Sequence, residues 1–175
     1  MEYLKFQDGY KSGNIELLYS DPIALYVSRH IPLSILEDAE KLINNLVEED
    51  FVLAGGWQSR TEKRLLKKAC EKPKSKIVYF LAKGIDRFNP PSFLEPLLEH
   101  DRLLVLSPFA KKQRITKKLV EVRDQWMTRL INRYLFVYVD PDGKTPVLIK
   151  KLSNLDKKLY LLDHPQNTPF LDQLL

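Results

Sequence analysis

Short apolar runs alternate with segments of helical periodicity along most of the chain. Residues 23–27 form a continuous apolar run, which is typical of a strand buried on both faces. Leu36, Ala39 and Ile43 then recur at intervals of three and four residues, which predicts an amphipathic helix. Further apolar runs, separated by segments with helical character, lie at 51–54, 76–81, 103–106, 134–139 and 159–162.

Strands that alternate with helices indicate βαβ units, in which successive strands of one sheet are parallel. Because the crossovers between parallel strands are right-handed, the helices cover both faces of the sheet. The pattern therefore predicts an α/β fold: a three-layer α/β/α Rossmann-like domain with a mostly parallel sheet, over residues 23–175. Residues 1–22 fall outside the alternation, and we expect them to form an N-terminal lead-in at the sheet edge.

The turn after the second predicted strand carries the most specific local signal. The apolar run ends at Gly55 and Gly56, and a helical pattern begins a few residues later. Glycine permits positive φ and close backbone approach, and a helix start presents free N–H groups to an anion. The turn therefore predicts a phosphate pocket, with a tight turn that binds nothing as the alternative. Trp57 either stacks on a base or fills the core.

Residues suited to phosphate follow five of the predicted strands. Ligands of such folds bind beyond the carboxyl ends of the strands, near the point where the strand order reverses. Backbone N–H groups, hydroxyls and basic side chains are the groups that hold phosphate there. The residues predicted to bind the ligand on this basis are Ser28, Arg29, Gly55, Gly56, Trp57, Gln58, Lys83, Gly84, Ser107, Gly143, Lys144 and Thr145.

Two arginines are candidates for either a ligand contact or an internal ion pair. Arg29 leaves a buried strand for a loop, and its guanidinium suits phosphate or a carboxylate such as that of Glu62. Arg123 lies four residues after Leu119 and four before Met127, so it borders the inward stripe of a helix. A charge in that position is costly unless it is paired, so Arg123 either pairs internally or reaches the ligand.

Composition and charge limit the class of protein without naming a ligand. The chain has 175 residues, of which 44% are hydrophobic and 29% charged, as in a single soluble domain. Its net charge of +5 permits a polyanionic partner. No apolar run approaches the roughly 20 residues that span a bilayer, and the N-terminal residues do not form a signal-peptide pattern. We therefore expect a cytoplasmic protein without a membrane partner.

Cysteine and histidine give no support to a metal site. Cys70 is the single cysteine, so an internal disulfide is excluded, and its place on the apolar side of a helix predicts a core position. His30, His100 and His164 lack the spacing of metal ligands. The sequence also lacks the glycine fingerprints of dinucleotide and nucleoside triphosphate sites. We predict neither a cofactor nor a metal.

Several motifs follow one another in a definite order: Ser28-Arg29, Gly84-Ile85-Asp86 with Asn89-Pro90-Pro91, Arg123-Asp124-Gln125 and Gly143-Lys144-Thr145. That order resembles the DNA-processing protein A family, also called Smf, in the SLOG group of Rossmann-like domains. Ser28-Arg29 is similar to the end of its first strand, Gly-Ser-Arg. Gly84-Ile85-Asp86 followed by Asn89-Pro90-Pro91 is similar to its Gly-Leu-Asp to Tyr-Pro-Pro loop. Arg123-Asp124-Gln125 lies where the family has Arg-Asn-Arg, and Gly143-Lys144-Thr145 where it has a Ser-Gly-Ser-Leu turn. The resemblance covers residues 11–167. Each motif matches that of the family only in part, and Val27 replaces a family glycine.

The resemblance implies a divergent, stand-alone relative that binds single-stranded DNA or nucleotide phosphate without catalysing a reaction. It favours a ligand contact for Arg123 and adds Asp124 to the site. A homodimer stays open. The alternative function is that of a nucleotide-monophosphate phosphoribohydrolase-like enzyme that cleaves an N-glycosidic bond. Gly55-Gly56 followed by Glu62 resembles the Gly-Gly-x-Gly-Thr-x-x-Glu motif of that class. A first-turn glutamate that favours the helix dipole is the other interpretation of Glu62.

Overall fold

A single eight-stranded sheet runs through the part of the chain that the computed structural model describes, residues 2–28, 30–86, 88–111 and 114–173. The strands are β1 Leu4–Phe6, β2 Gly9–Gly13, β3 Ile23–Val27, β4 Val52–Gly55, β5 Lys76–Phe80, β6 Leu103–Ser107, β7 Arg133–Tyr138 and β8 Lys158–Leu161. The α-helices are α1 Glu16–Tyr19, α2 Leu33–Glu48, α3 Arg60–Cys70, α4 Glu95–Glu99, α5 Lys117–Leu130 and α6 Thr145–Ser153. Short 3-10 segments cover Ser92–Leu94 and Pro165–Gln173.

The strand order is β1-β2-β6-β5-β4-β3-β7-β8. Strands β3 to β8 are parallel, and the β1–β2 hairpin pairs antiparallel with β6 at one edge. The predicted α/β fold with a mostly parallel sheet is therefore confirmed. From β3 the chain moves outward through β4 and β5 to β6, and then returns to β7 on the other side of β3. The strand order thus reverses between β3 and β7.

Helices cover both faces of the sheet because its central strands are apolar on both sides. In β3, Ile23 and Leu25 pack with helices α2, α3 and α4 on one face. Ala24, between them, packs with α1, α5 and α6 on the other face. This alternation divides the core into two apolar layers, which is the arrangement expected for parallel strands buried on both sides.

Helix α3 starts at a capping box and is anchored by one apolar stripe. The Ser59 side chain accepts a hydrogen bond from the backbone N–H of Glu62, and the Glu62 carboxylate accepts from the backbone N–H of Ser59. Leu65, Leu66 and Ala69 are buried against the sheet and α2. Box and stripe together fix both the start and the rotation of the helix. No helix among the described residues combines the length and the apolar character needed to cross a membrane.

Two local features differ from simple expectation. Residues 4–13 form a hairpin that joins the main sheet, although the three residues of β1 are too few to form an apolar run that would indicate a strand. Ser92 is of a residue type that favours the helix N-cap, whereas it is the first residue of a 3-10 turn and Pro91 occupies the capping position. Proline fixes φ but offers no side-chain hydroxyl for the free N–H groups, and the segment tightens before α4 begins.

The thiol of Cys70 should be nearly inert in the folded protein. Burial raises its pKa to about 12, and the thiolate is the reactive form of cysteine. We expect native protein to react with iodoacetamide at about pH 8 far more slowly than unfolded protein does. Mass spectrometry of timed samples measures both rates, and equal rates would contradict the partial burial of the thiol.

Candidate functional site

Three adjoining clefts open at the carboxyl edge of the parallel strands, where ligand sites of this architecture form. Their volumes are about 440, 510 and 350 Å³, and we name them the Lys83, Arg123 and Ser28 clefts after a lining residue of each. Gln58 lines both the Lys83 and the Arg123 cleft. Val27 lines both the Arg123 and the Ser28 cleft. The three clefts are therefore contiguous along the edge.

The diglycine makes room for two side chains of the protein itself. A Cβ on Gly56 would overlap Nη1 of Arg123, and a Cβ on Gly55 would lie 3.0 Å from Cε2 of Trp57. The close approach expected at these glycines is therefore made by internal side chains. The positive φ suggested for the glycines falls instead on Trp57, at 50°. The turn serves packing, and its glycines do not by themselves form the predicted phosphate cradle.

Trp57 belongs to the core. Its side chain is only 1% exposed and packs in the layer that contains α2 and α3. The indole Nε1 donates a long hydrogen bond of 3.4 Å to the backbone oxygen of Val78. Of the two interpretations left open by the sequence, core filling therefore describes Trp57, and its ring face is not free to stack on a base.

Arg123 is held by internal partners although it borders a cleft. The residue is 5% exposed. Its Nε donates to Oδ1 of Asp124 at 2.6 Å, and its Nη1 donates to the backbone oxygen of Phe80 at 3.1 Å. Burial raises the pKa of the Asp124 carboxyl, and the adjacent guanidinium opposes that rise. The internal ion pair anticipated as an alternative for Arg123 is formed.

The Lys83 cleft combines basic, amide and aromatic groups. Nζ of Lys83 lies 5.8 Å from the ring centroid of Phe88, and that ring lies 5.4 Å from the ring of Tyr79. Gln58 and Asn89 contribute amides to the lining, and Lys63 of α3 contributes a second ammonium group. Such a set can neutralise a phosphate, hydrogen-bond a base edge and contact its face.

The Ser28 cleft lies where the strand order reverses. Ser28 Oγ accepts from the backbone N–H of Asp140 at 2.9 Å and is 2.9 Å from Oγ1 of Thr145. The turn between them is closed by the Gly143 N–H, which donates to the Asp140 oxygen at 3.0 Å. Thr145 is the first residue of α6. The Ser28 hydroxyl thus joins the end of β3 to the turn after β7, and the Thr145 hydroxyl joins it to the start of α6.

The predicted site residues are distributed over these clefts and the layer beneath them. Gly56, Trp57, Gln58 and Lys83 line the first, Gln58, Arg123 and Asp124 the second, and Ser28, Gly143, Lys144 and Thr145 the third. Gly55, Gly84 and Ser107 are buried. The hydroxyl of Ser107 donates to the Lys83 backbone oxygen at 2.6 Å and so supports the loop from below. Arg29 lies outside the described residues.

Sequence reasoning missed Lys63, Tyr79 and Asn89 as cleft residues. Lys63 was not selected, because the direction of its side chain depends on how α3 packs. Its position one turn after the Ser59 cap was the available signal. Asn89 lies in the loop that carries the family resemblance, but of that loop only Gly84 was selected for the site.

Charge distinguishes the three clefts. Among the described lining residues, the Lys83 cleft has two lysines and no acidic side chain. In the other two, acidic residues match or outnumber the basic ones: Arg60 and Arg123 face Glu62 and Asp124, and Lys144 faces Asp140 and Asp142. The Lys83 cleft is therefore the one whose charge best suits a polyanion.

Glu62 is engaged in starting helix α3. Its Oε2 accepts from the backbone N–H of Gln58 at 2.9 Å and from that of Ser59 at 2.8 Å. A carboxylate oxygen with two such donors is held in place at the start of the helix. Glu62 is therefore the first-turn glutamate of helix α3. Its Oε2 is occupied by these two hydrogen bonds and is unavailable as a general base.

Six parallel strands, helices on both faces and clefts at the edge where the strand order reverses define a Rossmann-like α/β protein. Within that class, the chain has the fold of DNA processing protein A. It matches that protein from Helicobacter pylori with a TM-score of 0.73 and 16% identity, over 98% of this chain and 87% of the other. For the protein from Streptococcus pneumoniae the TM-score is 0.71 with 18% identity, over 95% of this chain and 57% of the other. No protein-family model and no curated protein matches the sequence.

Gly56→Ala should destabilise the protein, because its new methyl group would overlap the Arg123 guanidinium. We expect a loss of about 1–3 kcal/mol, the usual cost of overpacking. Denaturant unfolding of Gly56→Ala, Arg123→Ala and the double variant forms a thermodynamic cycle. The cost of Gly56→Ala should shrink in the Arg123→Ala background, and an unchanged cost would contradict the contact.

Proposed function

We propose that this protein is a non-enzymatic domain that binds single-stranded nucleic acid in the Lys83 cleft. The observation that carries the proposal is the composition of that cleft, two lysines beside an aromatic pair with no acidic residue among its described lining. Proteins that hold single strands combine a positive groove with aromatic surfaces. The DNA processing protein A of Helicobacter pylori, which has this fold, binds single-stranded DNA.

Each group in the cleft has a separate role in the proposal. Lys63 and Lys83 neutralise backbone phosphates, and release of counterions from the strand drives binding. Tyr79 and Phe88 form the apolar floor against which a base lies. The amides of Gln58 and Asn89 donate to and accept from the Watson–Crick edges of bases, which become accessible only when the bases are unpaired.

The contiguity of the three clefts favours a strand over an isolated nucleotide phosphate. A strand in the Lys83 cleft can continue past Gln58 toward the Arg123 cleft. In this proposal Arg123 positions the turn at Gly56 rather than binding phosphate. Ser28, Lys144 and Thr145 provide a second polar contact at the far end of the edge. Arg29 remains a predicted contact.

Removing either cleft lysine should weaken binding of an oligothymidylate. We expect Lys63→Gln and Lys83→Gln each to cost about 1–2 kcal/mol, the scale of one charge-assisted hydrogen bond at an open site. Each variant should also reduce the slope of log affinity against log salt by about 0.7. Fluorescence anisotropy at several salt concentrations measures both quantities.

Arg129→Gln is the matched control for these variants. Arg129 is exposed, pairs with exposed Asp8 at 3.0 Å and lines none of the three clefts. It should bind as the parent does. If the lysine variants lose no more affinity than this control, the Lys83 cleft is not the binding site.

Small nucleotides test the two other hypotheses, a nucleotide-phosphate ligand and a phosphoribohydrolase-like enzyme. A nucleoside monophosphate should raise the melting temperature less than an oligothymidylate does at equal phosphate concentration. Equal shifts would favour a nucleotide-phosphate ligand. We expect no release of free base during prolonged incubation, because the Glu62 carboxylate is bound to the helix start. Chromatographic detection of base that depends on Glu62 would instead support the phosphoribohydrolase-like enzyme.

A further inference from the structure

Helix α3 presents a stripe of basic side chains next to the Lys83 cleft. Arg60, Lys63, Arg64 and Lys67 are exposed, and their spacing of three and four residues places them on one face. A groove of about 520 Å³ runs along this face, and we call it the α3 groove. Its lining is completed by Lys68, Glu40, Glu71 and Phe93.

The α3 groove is continuous with the clefts at the carboxyl edge. Lys63 lines both the α3 groove and the Lys83 cleft. Arg60 lines both the α3 groove and the Arg123 cleft. Phe93, in the 3-10 turn that packs beside α3, is the aromatic residue of the groove, and Pro91 just before that turn lines the Lys83 cleft. A chain molecule can therefore pass from cleft to groove without leaving the protein surface.

The charge of the α3 groove is positive after its internal ion pairs are taken into account. Glu40 pairs with Arg64 at 2.6 Å, and Glu71 pairs with Lys68 at 2.8 Å. Within the described part of the chain, no ion pair is formed by Arg60, Lys63 or Lys67. These three cations lie on one face, and Lys63 also belongs to the Lys83 cleft. Together with Lys83 they form one electropositive track of four cations.

We propose that a single strand bound in the Lys83 cleft continues along the α3 groove, with its phosphates on the basic stripe and its bases toward Phe93. This inference rests on the proposed function and extends it to a longer binding site. The stripe from Arg60 to Lys67 is about 10 Å long at 1.5 Å per helical residue. That length accommodates roughly three phosphates at the 3.4 Å spacing of a stacked strand.

A comparison of two probe lengths separates the groove from the cleft. The probes are oligothymidylates of about four and about twenty nucleotides, within and beyond the span of one small binding site. The variant is Arg64→Gln combined with Lys67→Gln, because both residues line the α3 groove and neither lines a cleft. The control is Arg129→Gln combined with Lys158→Gln, which also removes one exposed paired arginine and one exposed lysine.

The long probe should bind the Arg64→Gln/Lys67→Gln variant about tenfold more weakly than the parent. The salt slope should fall by about 0.7, for the phosphate contact of Lys67, because Arg64 is already paired with Glu40. The short probe should bind parent, variant and control equally, and the melting temperatures should agree because all four side chains are exposed. One outcome is that the parent binds both probes while the variant binds the long probe as tightly as the control does. In that case the α3 groove is not part of the binding site. If the parent binds neither probe at low salt, the proposed function itself fails, and the inference fails with it.

Discussion

The position of Arg123 against Gly56 is the constraint on which the carboxyl edge of the parallel strands depends. The guanidinium is buried, donates to the end of β5 through Phe80 and pairs with Asp124. It occupies the space that a side chain at Gly56 would fill, so the turn after β4 can take only one shape there. Trp57 then adopts positive φ, a conformation that is unusual for a bulky residue, and its ring enters the opposite layer. Arg123, which is paired with Asp124 and bound to the Phe80 oxygen, thus fixes helix α5 against the ends of strands β4 and β5.

The turn after β4 sets the position of helix α3. Gln58 and Ser59 follow Trp57 directly and bind the Glu62 carboxylate, so the helix begins at a fixed point relative to the sheet. The buried stripe of Leu65, Leu66 and Ala69 sets its rotation. As a result Lys63 faces the Lys83 cleft. The charge pattern of the carboxyl edge follows from the position of Arg123. Asp124 neutralises this arginine near the middle of the edge, and the two lysines of the Lys83 cleft lie to one side of it.

The sequence predicted the parallel sheet because each central strand is a short apolar run followed by a helix. It did not predict the β1–β2 hairpin as strands, since Leu4 and Lys5 are exposed and the pairing depends on contact with β6. The diglycine was identified as a place of close approach, but the approaching group was unknown because Arg123 is 67 residues away in the chain. Lys63 was missed for a related reason. Whether a helical lysine faces solvent or a cleft depends on packing, which local periodicity does not give.

The central claim is that single-stranded nucleic acid binds across the Lys83 cleft and the neighbouring face of α3. Hydrogen–deuterium exchange of the protein with and without a saturating oligothymidylate tests it most directly, because it locates the contact without changing any residue. The account predicts slower exchange in peptides that cover residues 56–68 and 81–94, with little change in strand β8. Slower exchange confined to β8, or no difference anywhere under conditions in which the strand is shown to bind, would contradict it.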